Sequence, residues 1–347
     1  MTKRVTSFDV AKLAGVSRSV VSAVLNGTPG IGVSEEKREA VLKAIQELNY
    51  QVDAQARGMK TGRSHCIAAY GNVSNPMFLQ VLEGMQGACA AHGYHVLLYP
   101  SSKEPQHTID GLLDLYLQRR IDGIVALDRP HQANEAWIRQ LVKHRLPYVS
   151  VEGYPHHEEV PSVLMDYQES IRRALDFLWG NVGLPPVYVE MHHGAHTLGW
   201  GDQQRREAYE LWMKEHGLQP RIAAASADLS WEEGAEHWKR CIQEWGLPTA
   251  VLTNWSRGAV YVSRAAQMMG VPVGEQLHVM AADNTKRIHE YLYPSITSME
   301  VPYREMGSAA AERLVEYIEG RRPYEDKSTQ WLPAILAVRQ SVATVSS

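Results

Sequence analysis

Apolar residues recur at helical spacing in three short runs at the start of the chain. Val10, Leu13 and Ala14 make the first stripe, and Thr6 followed by Asp9 three residues on is a cap-like start for that helix. Gly15 breaks it. Ser17 can cap a second helix with the stripe Val20, Val21, Val24 and Leu25, which Asn26-Gly27 stops. After the loop Thr28-Pro29-Gly30-Ile31-Gly32, Ser34 opens a third helix. Its first turn carries Glu35 and Glu36, where the helix dipole favours acids, and its buried face is Val41, Ile45 and Leu48. Two helices across a tight glycine turn, completed by a third, are the helix-turn-helix plan. The first two are too short to hold alone, so they need each other's stripes. The outer face of the second, with Arg18, Ser19, Ser22 and Ala23, is left free to enter a major groove.

A short basic, Ala-rich stretch, Asp53 to Thr61, comes next. Nine residues with Gly58 inside are too few for a stable isolated helix, so this is a linker that becomes helical when something docks against it. From His65 the pattern changes to strand and helix in alternation. Strands are predicted at 66–70, 95–99, 123–127, 147–151, 187–191, 221–225, 249–253, 277–281 and 331–338. Helices are predicted at 76–92, 108–119, 133–144, 167–180, 203–216, 231–245, 257–269 and 303–319. That alternation is an α/β core of two doubly wound parallel-sheet lobes with a ligand cleft between them.

The expected organisation is a helix-turn-helix domain over 1–52, a hinge over 53–63 and a core over 64–347. One lobe takes 64–163 with 296–327, and the other 164–292 with 328–347.

Charge sharpens the picture. The 347 residues carry a net charge of −4, yet residues 1–63 hold ten Lys or Arg against six Asp or Glu. A basic head on an acidic body suits a polyanion at the head. The start of the chain has no apolar signal core, no run is long enough to span a membrane, and the three cysteines are scattered without metal spacing. A reducing cytoplasm is the expected home.

The run Phe8-Asp-Val-Ala-Lys-Leu-Ala-Gly-Val-Ser17, with Val21-Ser22, Val24-Leu25-Asn26, Val33-Ser34-Glu35 and Leu48-Asn49-Tyr50, resembles the headpiece of lactose/galactose-repressor (LacI/GalR) regulators. The body agrees at Ser74-Asn75-Pro76, Arg119 to Ile124, Asp166, Pro294 to Thr297 and Val301 to Gly307. The resemblance implies a cytoplasmic, sequence-specific transcription regulator, a repressor, and a core similar to periplasmic sugar-binding proteins. Its partners would be a pseudo-palindromic double-stranded operator and a small carbohydrate effector between the lobes. It implies a homodimer or a tetramer; no heptad-like tail follows residue 338, which favours the dimer. No cofactor, metal or catalytic residue is expected.

Residue by residue, the resemblance puts Arg18 and Ser19 at base-reading positions, and Ser17, Ser22 and Asn26 at phosphate-contacting ones. Thr6 is counted with this DNA-contacting set. Arg57 and Met59 fall in the matching hinge, Met59 where a leucine usually wedges into the minor groove. In the core, Arg205 matches an effector-gripping arginine, Asp283 an effector-binding acid and Asn254 an effector-facing amide. Met77 and Phe78 match the pocket wall, and Trp255 is a candidate to stack on a ring-shaped ligand.

Departures from the family pattern bear on specificity. Ala23 replaces a common arginine, Val20 a threonine, Val52 a proline, and Trp255 the usual aspartate after Asn254. Leu229 stands where an aromatic often stacks on the ligand, and Gly27 to Val33 is two residues longer than usual. The histidines at 156–157, 192–193 and 196 read as loop residues rather than a metal site. The glycines at 27, 30 and 32 lack a following Lys-Ser/Thr, and no Gly-x-Ser-x-Gly elbow occurs. Two other readings stay open on the body alone: an extracytoplasmic sugar-binding protein, and an enzyme built on the same lobes.

Overall fold

A computed structural model describes residues 5–26, 32–51, 58, 62–101, 105–128, 135–155, 157–194 and 198–344, with side chains at 26 and 105–109 left aside. The chain divides into two compact units, Met1–His65 and Cys66–Ser347.

The head contains α1 (Ser7–Leu13), α2 (Arg18–Asn26) and α3 (Glu35–Glu47). Val10, Ala11, Val21, Val24, Val41 and Ala44 form its small core, with Val20, Leu25, Ile45 and Leu48 packed around it. The turn between α1 and α2 needs Gly15, whose φ of +66° is in the left-handed region that side chains avoid. The Val16 amide donates to the Ala11 carbonyl at 3.0 Å and closes the turn. Leu13, expected in the buried stripe, is instead 47% exposed. Of α1, only Val10 and Ala11 are buried in so small a core. Ser34 precedes α3 as expected but makes no side-chain cap bond.

The second unit holds two six-stranded sheets. In chain order the first lobe gives β1 (Cys66–Gly71), α4 (Pro76–Ala91), β2 (His95–Pro100), α5 (Pro105–Leu117), β3 (Gly123–Leu127), α6 (Glu135–His144), β4 (Tyr148–Val151) and β5 (Ser162–Met165). The second gives α7 (Tyr167–Val182), β6 (Val187–His192), α8 (Trp200–Glu215), β7 (Ile222–Ser226), α9 (Trp231–Trp245), β8 (Thr249–Thr253), α10 (Ser256–Met268), β9 (Leu277–Ala281) and β10 (Thr297–Glu300). The chain closes with α11 (Tyr303–Glu319), β11 (Thr329–Leu332) and β12 (Ile335–Ala337). The sheet orders are β11-β5-β4-β3-β1-β2 and β12-β10-β9-β8-β6-β7. Every pairing is parallel except β10 with β12.

The chain therefore crosses between lobes after β5, after β10 and between β11 and β12. A single strand over 331–338 is not what forms. Pro333 lacks an amide hydrogen and stands between β11 and β12, which join different sheets. Residues 329–332, expected in the second lobe, pair with β5 at the edge of the first sheet. The strands β5 and β10, each four residues at a crossing, carry too short a pattern to predict.

A continuous apolar core spans both lobes, from Phe78, Val81 and Met85 through Met165 and Tyr167 to Tyr209, Leu252 and Met280. Helices α4 and α11 touch backbone to backbone within it. A Cβ on Gly84 would lie 1.8 Å from the Arg304 carbonyl oxygen, and one on Gly307 would lie 2.1 Å from that of Val81. Gly87, on the same helix as Gly84, faces open space. Gly84→Ala should therefore destabilise the core by about 1–3 kcal/mol through overpacking. Gly87→Ala should be neutral or stabilising by up to about 1 kcal/mol. Urea unfolding of the two variants checks the difference, and equal stabilities would contradict the packing.

Candidate functional site

Two places bring the predicted residues together. In the head, the Asp9 carboxylate accepts from the Thr6 amide at 2.8 Å and the Thr6 hydroxyl at 2.6 Å, which fixes the entry to α1. At the start of α2 the Val20 amide donates to Ser17 Oγ at 3.4 Å, and the Ser17 and Ser19 hydroxyls share a hydrogen bond of 2.8 Å. Ser17, Arg18 and Ser19 are exposed and Ser22 is half-buried one turn further on, so these four mark one end of α2. Ala23 does not belong with them. It is buried at 5% exposure, because its position next to Val24 lies at the margin of the apolar stripe. Asn26 ends the helix. Arg57 and Met59 lie outside the described residues. Lys12, Arg18, Lys37, Arg38 and Lys43 are all exposed, which gives the head cations for a phosphate backbone.

In the core, the site centres on Arg205 in the first turns of α8. Its guanidinium is buried at 6% exposure and lies 4.5 Å from the centre of the Tyr167 ring. Nη1 donates to Asp202 Oδ1 at 3.1 Å and Nη2 reaches the Ala282 carbonyl at 3.5 Å, while Nε has no partner. Burial opposes the charge, but Tyr167, Asp202 and Asp283 outweigh it and hold the pKa above the ordinary arginine value. The same Asp202 oxygen accepts from Trp255 Nε1 at 3.0 Å and from Asn254 Nδ2 at 3.3 Å. Asp283 sits at the amino end of α10. Its Oδ1 accepts from the Ser256 amide and, at 2.5 Å, from the Ser256 hydroxyl, and its Oδ2 accepts from Thr285 Oγ1 at 2.7 Å.

Arg205, Asp283, Asn254 and Trp255 thus converge on one place. Asn254 is fully buried, and its amide also bridges Met191, accepting from the amide at 2.8 Å and donating to the carbonyl at 2.9 Å. It ties strand ends together as much as it faces a ligand. Met77 is half-buried near the start of α4, where Asn75 Oδ1 accepts from its amide at 3.0 Å. Phe78 is fully buried against Gly71 and belongs to the core. Opposite, Gln80 Nε2 donates to the Thr285 carbonyl at 2.9 Å and Arg287 meets Glu83 at 3.3 Å, so α4 and the loop after β9 bridge the two lobes.

The site contains residues that local pattern reading missed. Glu152, just past β4, is 9% exposed with a φ of +65°. Its Oε2 accepts from the Tyr167 hydroxyl and its Oε1 has no partner. Burial pushes its pKa up to about 7 against the opposing pull of Tyr167 and Arg205. Tyr303, at the second crossing, is buried beside it electrostatically. The available signal was an acid at the carboxyl end of a predicted parallel strand, where ligands of such sheets gather. Among the described residues no group of His, Cys, Asp or Glu is placed to hold a metal ion. His193 pairs instead with Asp228 at 2.9 Å.

A small DNA-reading head and a two-lobed α/β core with buried polar groups at facing strand ends define a class, the ligand-responsive DNA-binding regulators. Residues 8–53 match the sequence model described as bacterial regulatory proteins, lacI family, and residues 187–342 match that of the periplasmic binding protein-like domain. Together the two matches cover more than half of the chain. The chain is 26% identical over 339 residues to catabolite control protein A of Priestia megaterium, covering 97% of this chain and 99% of that protein. Its fold is similar to that of the lac repressor dimer bound to operator and the anti-inducer ONPF, with a TM-score of 0.76 at 22% identity, covering 99% and 100% of the two chains. The regulator CelR in its cellobiose complex gives a TM-score of 0.62 at 23% identity, covering 97% and 100%. The chain carries a lacI-family helix-turn-helix domain and a periplasmic binding protein-like domain, and it is a DNA-binding transcription regulator.

Glu152 has a folded pKa near 7 against an ordinary value of 4.5. Stability linked to its protonation is complete below the ordinary value and is lost as pH rises through about 7. Glu152→Gln should match the parent chain near pH 4 and exceed it above pH 7, by about 3 kcal/mol at most. Chemical denaturation across pH checks this, and a constant difference at all pH values would contradict it.

Proposed function

We propose that the protein is a cytoplasmic repressor without enzymatic activity, whose hold on a pseudo-palindromic operator is set by a carbohydrate effector in the Arg205 cleft. One observation carries the reading. Arg205 and Asp283, a buried cation and a buried carboxylate from different elements, interact electrostatically, and Trp255 donates to the same Asp202 oxygen that pairs with Arg205. Hydroxyl-rich rings suit such a place, because paired acceptors and a guanidinium fork order the hydroxyls while an aromatic face takes the apolar side. The structurally similar regulator CelR is solved in complex with cellobiose.

At the head, Arg18 reads a base edge with its planar fork, aided by Ser19. Thr6, Ser17, Ser22 and Asn26 hold phosphates and set the register. Residues 53–63, with Arg57 and Met59, form the hinge between the reading domain of 1–52 and the core. Two heads of a homodimer read two half-sites. Self-association is supported by exposed Tyr293 and Met268, which line one surface groove with Leu292. The effector changes how the lobes close, and that differential affinity shifts the population that grips DNA.

Fluorescence anisotropy on a fragment selected from genomic DNA tests the head. Arg18→Ala should weaken the selected site by about 1–3 kcal/mol and relax preference at one base pair, while binding to random duplex stays nearly unchanged. Equal weakening on every sequence would remove Arg18 from base reading.

A further inference from the structure

A cavity of about 240 Å³ is lined by Asp166, Tyr167, Gln168, Trp200, Gln204 and Trp331. Two of the three chain crossings build it. Trp331 comes from β11, the edge strand of the first sheet, and Asp166 to Gln168 from the passage out of β5. Trp200 and Gln204 come from the first turns of α8 in the second lobe. The Trp200 and Trp331 ring centres are 6.3 Å apart and tilted by 41°, and Tyr167 meets Trp200 edge-on at 5.7 Å. Trp331 is paired with Leu164 in the sheet yet 41% exposed, so it walls the cavity without filling a core.

The polar lining is neutral amide and carboxylate. Gln168 Nε2 donates to Gln204 Oε1 at 2.9 Å, and Asp166 Oδ1 accepts from the Glu169 amide at 2.9 Å as the cap of α7. Amides offer donors and acceptors side by side and a carboxylate accepts, which matches vicinal hydroxyls. The aromatic lining of Trp200, Trp331 and Tyr167 matches the C–H surface of a ring. The carboxylate disfavours an anion, and the volume suits one ring rather than two.

We propose that this cavity is a second small-molecule site, apart from the Arg205 cleft, and that it takes one neutral sugar ring. Tyr167 links the two. Its ring lies under the Arg205 guanidinium, its hydroxyl donates to Glu152, and its side wall lines the cavity. A ring held in the cavity against Trp331 and Trp200 touches both lobes at once, so its binding favours one lobe arrangement and tunes the response of the cleft. The site is independent of which effector the cleft prefers.

Full-length protein carrying 5-fluorotryptophan tests this by 19F NMR, with the two resonances assigned through Trp200→Phe and Trp331→Phe. D-glucose, D-galactose and D-mannose are titrated to high millimolar concentration, with choline as the cation probe. The expected result is a saturable shift of both resonances by at least one hexose. It should appear in the parent chain and in Asp283→Asn, which disables the cleft, and weaken at least tenfold in Gln204→Ala. The remaining tryptophan resonances report that each variant is folded. No shift with any hexose, a shift with choline alone, or a shift that vanishes in Asp283→Asn would overturn the second site. The last outcome would leave the cleft standing as the sugar site, so the two readings fail separately.

Discussion

A guanidinium kept from water must find its counter-charge inside the protein, and Arg205 finds it where the lobes meet. Losing hydration costs several kcal/mol per ion, so the charge is tolerated only with partners on hand. Asp202 supplies the pair one turn earlier on the same helix, and Tyr167 supplies an aromatic face. Asn254 and Trp255 add their donors to the same Asp202 oxygen. One buried charge thereby fixes the ends of β6 and β8, the start of α8 and the beginning of α7. The unpartnered Nε of Arg205 and Oε1 of Glu152 are left as polar groups that a ligand could satisfy.

The head rests on a different economy. Its core is a handful of valines and alanines, and none of its first two helices holds alone. Rigidity comes from the Gly15 turn and from the Asp9 bonds to Thr6. That arrangement leaves the start of α2 outside, with consecutive exposed side chains at 17, 18 and 19. Affinity for DNA then comes from exposed cations and is salt-dependent, whereas specificity comes from few residues.

The alternation of strand and helix made the two lobes legible, because parallel strands buried on both faces read as short apolar runs. Helix 231–245 and strands 249–253 and 277–281 fall where the periodicity puts them. What stayed hidden depends on partners far away in the chain. β5 and β10 are four residues long and are defined by the sheets they join. Pro333 divides the last strand between two sheets, which local alternation cannot reveal. Leu13 and Ala23 exchange the roles that helical spacing assigned them, because the boundary of so small a core is set by three-helix packing. Family likeness named Arg205 and Asp283, whereas Tyr167, which packs its ring against the guanidinium and bonds to Glu152, joins them only through the crossings.

The central claim is that the Arg205 cleft governs the grip of the head on DNA. The most direct test is capture of genomic fragments at low salt by the parent chain and by Arg205→Ala, each shown folded by circular dichroism, with and without a panel of carbohydrates. The account predicts that both proteins capture the same fragments and that at least one carbohydrate changes capture by the parent chain alone. Capture of no fragment by the parent chain, or an equal carbohydrate response from Arg205→Ala, would contradict it.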